Sequence, residues 1–125
     1  MEGVSYSLYD CLCVITQTGI EPETMLLTGG GGSSVFWSQM LCDLFALPVQ
    51  TSMSSEGAAL GAAILASVGA GIYEDVPTAC KVMVKYNDNV QKPNSGNTAK
   101  YRHYHAFYQS LYASLKDRFN DLSTL

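Results

Sequence analysis

Positive charge is scarce in this 125-residue chain: seven Lys and Arg stand against eleven Asp and Glu, for a net charge of −4. Only 14% of the residues are charged. No basic face is on offer to a nucleic-acid backbone and no polybasic patch to an anionic lipid surface, so both partner classes are set aside. Long apolar runs are missing as well. No stretch reaches the ~20 residues of a membrane-crossing helix, and Met1-Glu2-Gly3 lacks the basic start and apolar core of a secretory leader. The expectation is a cytoplasmic protein with no membrane partner.

Several chemical motifs are also absent. The four cysteines, Cys11, Cys13, Cys42 and Cys80, sit at spacings that match no zinc pattern, and are expected to be buried, reduced, small hydrophobes. There is no Gly-x-x-x-x-Gly-Lys-Ser/Thr loop. A dinucleotide fingerprint would need an acidic residue closing the second strand, but Val49-Gln50-Thr51 runs on into Ser52-Met53. His103 and His105 are two apart on a helical pattern, which points them about 200° apart and argues against a shared metal. No metal ligand set is expected.

What the chain does have is 47% hydrophobic residues and eight tyrosines, enough for one domain with a modest core. Low charge combined with so many aromatics predicts apolar surface that a partner covers.

The most unusual stretch is Met25-Leu26-Leu27-Thr28-Gly29-Gly30-Gly31-Gly32-Ser33-Ser34. It reads as a strand, a bare loop and the start of a helix. Four adjacent residues without Cβ lose the most conformational entropy on folding, so such a run belongs where backbone approaches something closely or visits positive φ. Backbone amides at the start of the following helix suit a phosphate or another anion. A flexible glycine-rich turn is the alternative.

Around it the pattern is mostly helical. Val4, Leu8, Cys11, Leu12 and Ile15 predict an amphipathic helix from Met1 to Thr18, already running at its first residues with no capping side chain before it. Phe36, Met40, Leu44 and Leu47 predict a second helix, ended by Pro48, and Val49-Gln50-Thr51 a short strand. Strand, helix, strand with a short return is a βαβ unit, which implies parallel pairing. Ser54 or Ser55 is placed to cap a third helix with Glu56 in its first turn, where Gly57 and Gly61 leave a flat side for a closely crossing helix. Gly69-Ala70-Gly71 closes that helix. Val76 to Val84 predicts a short helix with Pro77 in its first turn, and the polar segment Tyr86 to Asn97 a loop. From Thr98, the residues Tyr101, Tyr104, Tyr108, Leu111, Leu115, Phe119 and Leu122 keep helical spacing for about six turns, an aromatic stripe best suited to packing.

With these residues in place, the chain resembles the C-terminal part of an FGGY-family carbohydrate kinase, and is most similar to the family's xylulose-phosphorylating members. Met1 to Asp10 resembles a helix of the second large domain, and Leu27 to Asp43 the adenosine-binding loop and its helix. Glu56 to Ala66 resembles the small-residue helix at the interdomain hinge, and Tyr101 to Phe119 the terminal helix. The resemblance implies an α/β fold: a partial actin/hexokinase-like (ribonuclease H-like) nucleotide-binding domain, helix-rich with a short parallel βαβ unit. Residues 1–125 would be the C-terminal part of that domain, without the N-terminal sugar-binding domain.

The family binds ATP and sugar in the cleft between two domains. Carried over by position, the nucleotide-binding residues would be Gly29, Gly30, Gly31, Gly32, Ser33 and Ser34. The first three would pass along the phosphates and ribose, with Gly30 closest to the α-phosphate, and the serines would stand near adenine. A side chain at Gly30 would occupy the space where phosphate oxygens reach backbone amides. Mg²⁺ would arrive through the nucleotide. The family's catalytic aspartate and its β/γ-phosphate loop lie upstream of anything here, so no residue is assigned as catalytic; Asp10, Asp43, Glu56, Asp75 and Asp117 have structural explanations. These implications describe the ATP-binding portion of a pentulose kinase, acting on D-xylulose, with the family's glycerol, gluconate, ribulose and rhamnulose kinases as alternatives. Alone it would be inactive, and it would self-associate or pair with a kinase N-terminal half. A free-standing adenine-nucleotide-binding or assembly module, from a truncated or split gene, is the alternative.

Overall fold

The computed structural model describes residues 1–54 and 56–124, with the side chains of Asn120 and Ser123 left out. Its centre is helix α3 (Val35–Phe45), whose Ser38, Met40, Leu41, Cys42, Asp43 and Leu44 are all buried. Ser34 caps it, the hydroxyl oxygen accepting from Trp37 N at 3.2 Å. The helix stops before Pro48 is reached. Ala46 turns left-handed at φ 56, ending the helical ladder at Phe45, so the proline follows the stop that was expected of it.

Helix α1 (Glu2–Gln17) and helix α6 (Ser95–Ser123) pack against α3 and against each other. Tyr6 of α1 lies 5.4 Å, ring to ring, from Tyr108 of α6, and Tyr9 lies 5.6 Å from Phe45. The aromatic stripe is therefore packing on its N-terminal half. Leu111, Leu115, Phe119 and Leu122 continue it as exposed residues. α6 starts at Ser95, three residues ahead of Thr98, and Asn94 caps it, its side-chain oxygen accepting from Gly96 N and Asn97 N at 3.0 and 3.1 Å.

Strands β1 (Met25–Leu27) and β2 (Val49–Ser52) pair in parallel, Met25 opposite Val49 and Leu27 opposite Thr51, as the βαβ pattern implies. A third strand corrects the sequence reading. Tyr86–Gln91, expected as part of a loop, forms β3, antiparallel to β2 at the sheet edge. Tyr86 to Val90 are all exposed, so neither face has to be apolar, and the strand exists through its backbone ladder and polar cross-links such as Gln50 Nε2 to Asn87 O at 2.9 Å.

Helix α4 (Gly57–Gly69) packs on helix α5 (Val76–Met83), with Ile64 and Ser67 buried between them. Among the described residues no helix crosses α4 closely at Gly61. A Cβ at Gly61 would meet nothing within 4 Å, whereas one at Gly57 would touch Thr28 Oγ1 at 3.2 Å, so only Gly57 is small for a contact within the described residues. Glu56 is the α4 cap position rather than a first-turn residue; Ser54 Oγ accepts from its backbone N–H at 3.2 Å, and Ser55 lies outside the described residues. Of the cysteines, Cys42 alone is buried and Cys11 is exposed; the expectation of four buried thiols is corrected. Among the described residues, no helix is long and apolar enough to cross a membrane.

Candidate functional site

β1 ends at Leu27 because the next residues, Gly29 to Gly32, curl into a single helical turn, α2, instead of the bare loop expected from sequence. Gly29 starts it at φ +74, a conformation that side chains disfavour. The turn closes on itself. Ser33 N and Ser33 Oγ both donate to Gly30 O, at 3.3 and 2.6 Å, and Ser34 N donates to Gly31 O at 3.3 Å.

The four glycines are small for different reasons. A Cβ on Gly31 would sit 2.6 Å from Trp37 Cζ3, and one on Gly32 would sit 3.2 Å from the Leu27 carbonyl oxygen. Trp37 cannot easily withdraw, because its Nε1 donates to Ser5 Oγ of α1 at 2.9 Å. Packing thus explains these two. Gly30 is exposed, and a Cβ there would meet nothing within 4 Å. No neighbour in the described residues requires Gly30 to be bare.

Beside the turn lies a groove of about 480 Å³, lined by Gly32, Ser33, Val35, Ser38, Val49, Thr51 and the β3 residues Asn87, Asp88, Asn89 and Gln91. The structure therefore brings Gly32 and Ser33 of the expected set together with β3. Ser34 is occupied as the α3 cap. The β3 lining was missed in the sequence because Tyr86 to Asn97 lacks apolar alternation. Asn87, Asp88 and Asn89 all line the groove, because β3 departs from strict alternation where its register on β2 shifts between Gln50 and Ser52, a bulge that no residue pattern announces.

The acids are held in structural roles. Asp43, 2% exposed, accepts from Gln39 Nε2 at 2.7 Å, Asn94 N at 2.8 Å and Asn97 Nδ2 at 2.8 Å, which fastens α3 to the start of α6. Asp10 accepts from His105 Nε2 at 2.7 Å and Gln109 Nε2 at 2.9 Å, joining α1 to α6. Asp75 caps α5 by accepting from Thr78 N at 2.8 Å; the Thr78 hydroxyl first, and then this backbone N–H, hold its carboxyl below the usual range. Burial, and after it the Asp43 carboxylate, pushes the Cys42 thiol up, so it stays protonated and donates to Leu47 O at 3.2 Å. Among the described residues no group of three or more His, Cys, Asp or Glu side chains could hold a metal ion.

A model of the C-terminal domain of the FGGY family of carbohydrate kinases matches residues 1–70, from α1 through α4. The chain is 34% identical over 125 residues to a xylulose kinase of Staphylococcus epidermidis, covering 100% of this chain and 25% of that protein. It is 33% identical over 96 residues to an autoinducer-2 kinase of Photorhabdus laumondii, covering 77% and 18%. Among solved structures, a ligand-bound xylulose kinase from Lactobacillus acidophilus superposes with a TM-score of 0.84 at 24% identity, over 97% of this chain and 24% of that one. The chain spans about a quarter of the length of the relatives it matches. The expected α/β fold of the actin/hexokinase-like sugar kinases, with its parallel pair, is the fold found.

Proposed function

Because the chain belongs to the FGGY family of carbohydrate kinases, whose C-terminal domain it matches over residues 1–70, we propose that residues 1–125 are the C-terminal part of a kinase's nucleotide-binding domain. The parent activity in this reading is transfer of a phosphoryl group from ATP to a pentulose, D-xylulose, in the cytoplasm. The xylulose kinase match supports that sugar over the autoinducer-2 alternative because it extends through α6, whereas the latter covers 77% of the chain.

The observation that carries the nucleotide assignment is the contrast within the glycine run. Gly31 and Gly32 are small to fit Trp37 and Leu27, but Gly30 is bare toward open space, where a phosphate can approach the backbone. The turn fits the phosphate end of ATP in this respect. Gly29 and Gly30 would receive it, Trp37 would brace the turn through Gly31, and Ser33 would fix the turn's far side through Gly30 O. Bound there, ATP supplies the phosphoryl group and Mg²⁺, carried by the nucleotide, supplies charge neutralisation. With Asp10, Asp43 and Asp75 engaged in structural hydrogen bonds, none is placed as a general base for a sugar hydroxyl. Phosphoryl transfer depends on positioning from both sides of a cleft, so the chain alone should bind nucleotide without turning it over. The exposed apolar residues of α4 and α6 suit pairing with a kinase N-terminal half, or self-association in its absence.

The test is to assay the purified chain for ADP binding and for sugar phosphorylation with ATP, Mg²⁺ and D-xylulose. Binding without turnover is the expected outcome. Turnover by the chain alone would overturn the division of labour, and no ADP binding at millimolar concentration would overturn the assignment.

A further inference from the structure

We infer that Ser5 of α1 is a positioning residue for the glycine turn, acting through Trp37, whose indole ring is the surface that Gly31 rests against. This deepens the nucleotide reading given above and rests on it. Two neighbours limit where the turn can sit. At Gly32 it is the Leu27 carbonyl oxygen at the end of β1, 3.2 Å from where a Cβ would stand; at Gly31 it is the Trp37 ring, with Cζ3 at 2.6 Å and Cε3 at 3.1 Å. The backbone of Gly29 and Gly30 belongs to the same single turn, so the ring under Gly31 helps set where it points.

What holds the ring is a side chain on another helix. Trp37 is the third residue of α3, where side chains lean back toward the helix N-terminus and so over the preceding turn. Ser34 fixes its backbone by accepting from Trp37 N at 3.2 Å, which leaves the ring's own torsions free. Its Nε1–H, the one polar group the indole has, donates to Ser5 Oγ at 2.9 Å and selects one orientation.

The Ser5 hydroxyl is otherwise hard to account for. Ser5 is 0% exposed within α1, where alanine would fill nearly the same space. Its other polar neighbours are farther off, Met1 O at 3.3 Å and Met40 Sδ at 3.5 Å, so the indole makes its shortest hydrogen bond. Without that oxygen a half-buried N–H loses its acceptor, the ring is free to turn away, and the floor under Gly31 goes with it. Glycines no longer held in one geometry must be ordered by the ligand itself, which weakens binding.

Trp37 is the chain's single tryptophan, so its indole N–H gives one resonance that reports on the brace directly. The test is an ADP titration of the native chain, Ser5→Ala, Trp37→Phe and the double variant, following that resonance and the backbone amides of Gly29 to Gly31. In the native chain the indole resonance should move together with the glycine amides, at one dissociation constant. Ser5→Ala should bind ADP about fivefold more weakly, the worth of one hydrogen bond. Trp37→Phe, which keeps a ring but not the N–H, should weaken binding at least as much, and adding Ser5→Ala to it should change nothing further. Glycine shifts with a still indole resonance would overturn the inference and leave the nucleotide reading standing; this readout needs no variant, so it decides even if Ser5→Ala fails to fold. Native affinity in Ser5→Ala, or an equal loss in both backgrounds, would also overturn it. Absence of any glycine shift in the native chain would overturn both.

Discussion

Gly30 and Gly31 are adjacent and chemically identical, yet the structure assigns them opposite sensitivities. Gly31→Ala drives a methyl group to 2.6 Å from the anchored Trp37 ring and should cost about 1–3 kcal/mol of stability. Gly30→Ala meets no atom, and within a helical turn alanine is the better residue by up to about 1 kcal/mol. Thermal denaturation of both variants checks this: Gly31→Ala should melt lower than the parent and Gly30→Ala no lower. Two equally destabilised variants would mean that Gly30 is also bare for packing. A second residue gives a pH signature. Tyr6 is 5% exposed, its hydroxyl has no partner among the described residues, and burial, with Glu2 next in importance, pushes its phenol above the usual 10.0. Folding therefore favours the protonated phenol. That contribution is present below pH ~10 and is lost as pH rises through the folded-state value. Tyr6→Phe should remove this alkaline sensitivity and be neutral to stabilising, by up to about 1 kcal/mol, since it deletes an unpaired buried group. Melting curves at neutral and alkaline pH measure it.

Among the elements, α3 and α6 carry the argument, and Asp43 is the knot between them. Asp43→Ala leaves Gln39, Asn94 and Asn97 donors without their acceptor and should cost roughly 2–5 kcal/mol, read from denaturant midpoints. A loss under 1 kcal/mol would show that the α3–α6 seam is held by apolar contacts alone. Most of these elements are legible in the sequence. Met40 and Leu44 mark α3 by period, and Met25-Leu26-Leu27 and Val49-Gln50-Thr51 mark the parallel pair, because burial on one side writes itself into the residue pattern; Phe36 shares the period but is exposed. β3 is illegible for the converse reason: with Tyr86 to Val90 exposed, its strand conformation comes from pairing with β2 and leaves no apolar alternation behind. Ala46 in a left-handed conformation gave no signal either, since alanine is an ordinary helix former and only its tertiary setting turns it. At the site, the glycine run pointed to a close backbone approach, and that much was legible. Which glycine serves packing and which stays open was not, because the answer lies in Trp37, six residues further on, and in Ser5, on another helix.

The whole chain matches a quarter of a xylulose kinase and leaves the backbone at Gly30 open on one side. Exposed Phe107, Tyr112, Leu115 and Phe119 on α6 and Leu65 on α4 belong to surfaces that an isolated chain presents to solvent. The proposed nucleotide contact at Gly30 is tested most directly by an ADP titration of the native chain, Gly30→Ala and Gly30→Val, each first shown to be folded, read from the backbone amides of Gly29 to Ser34. Saturable shifts in the native chain, weaker in Gly30→Ala and absent in Gly30→Val at unchanged fold, are the expected result. ADP binding of equal strength in all three would contradict the account.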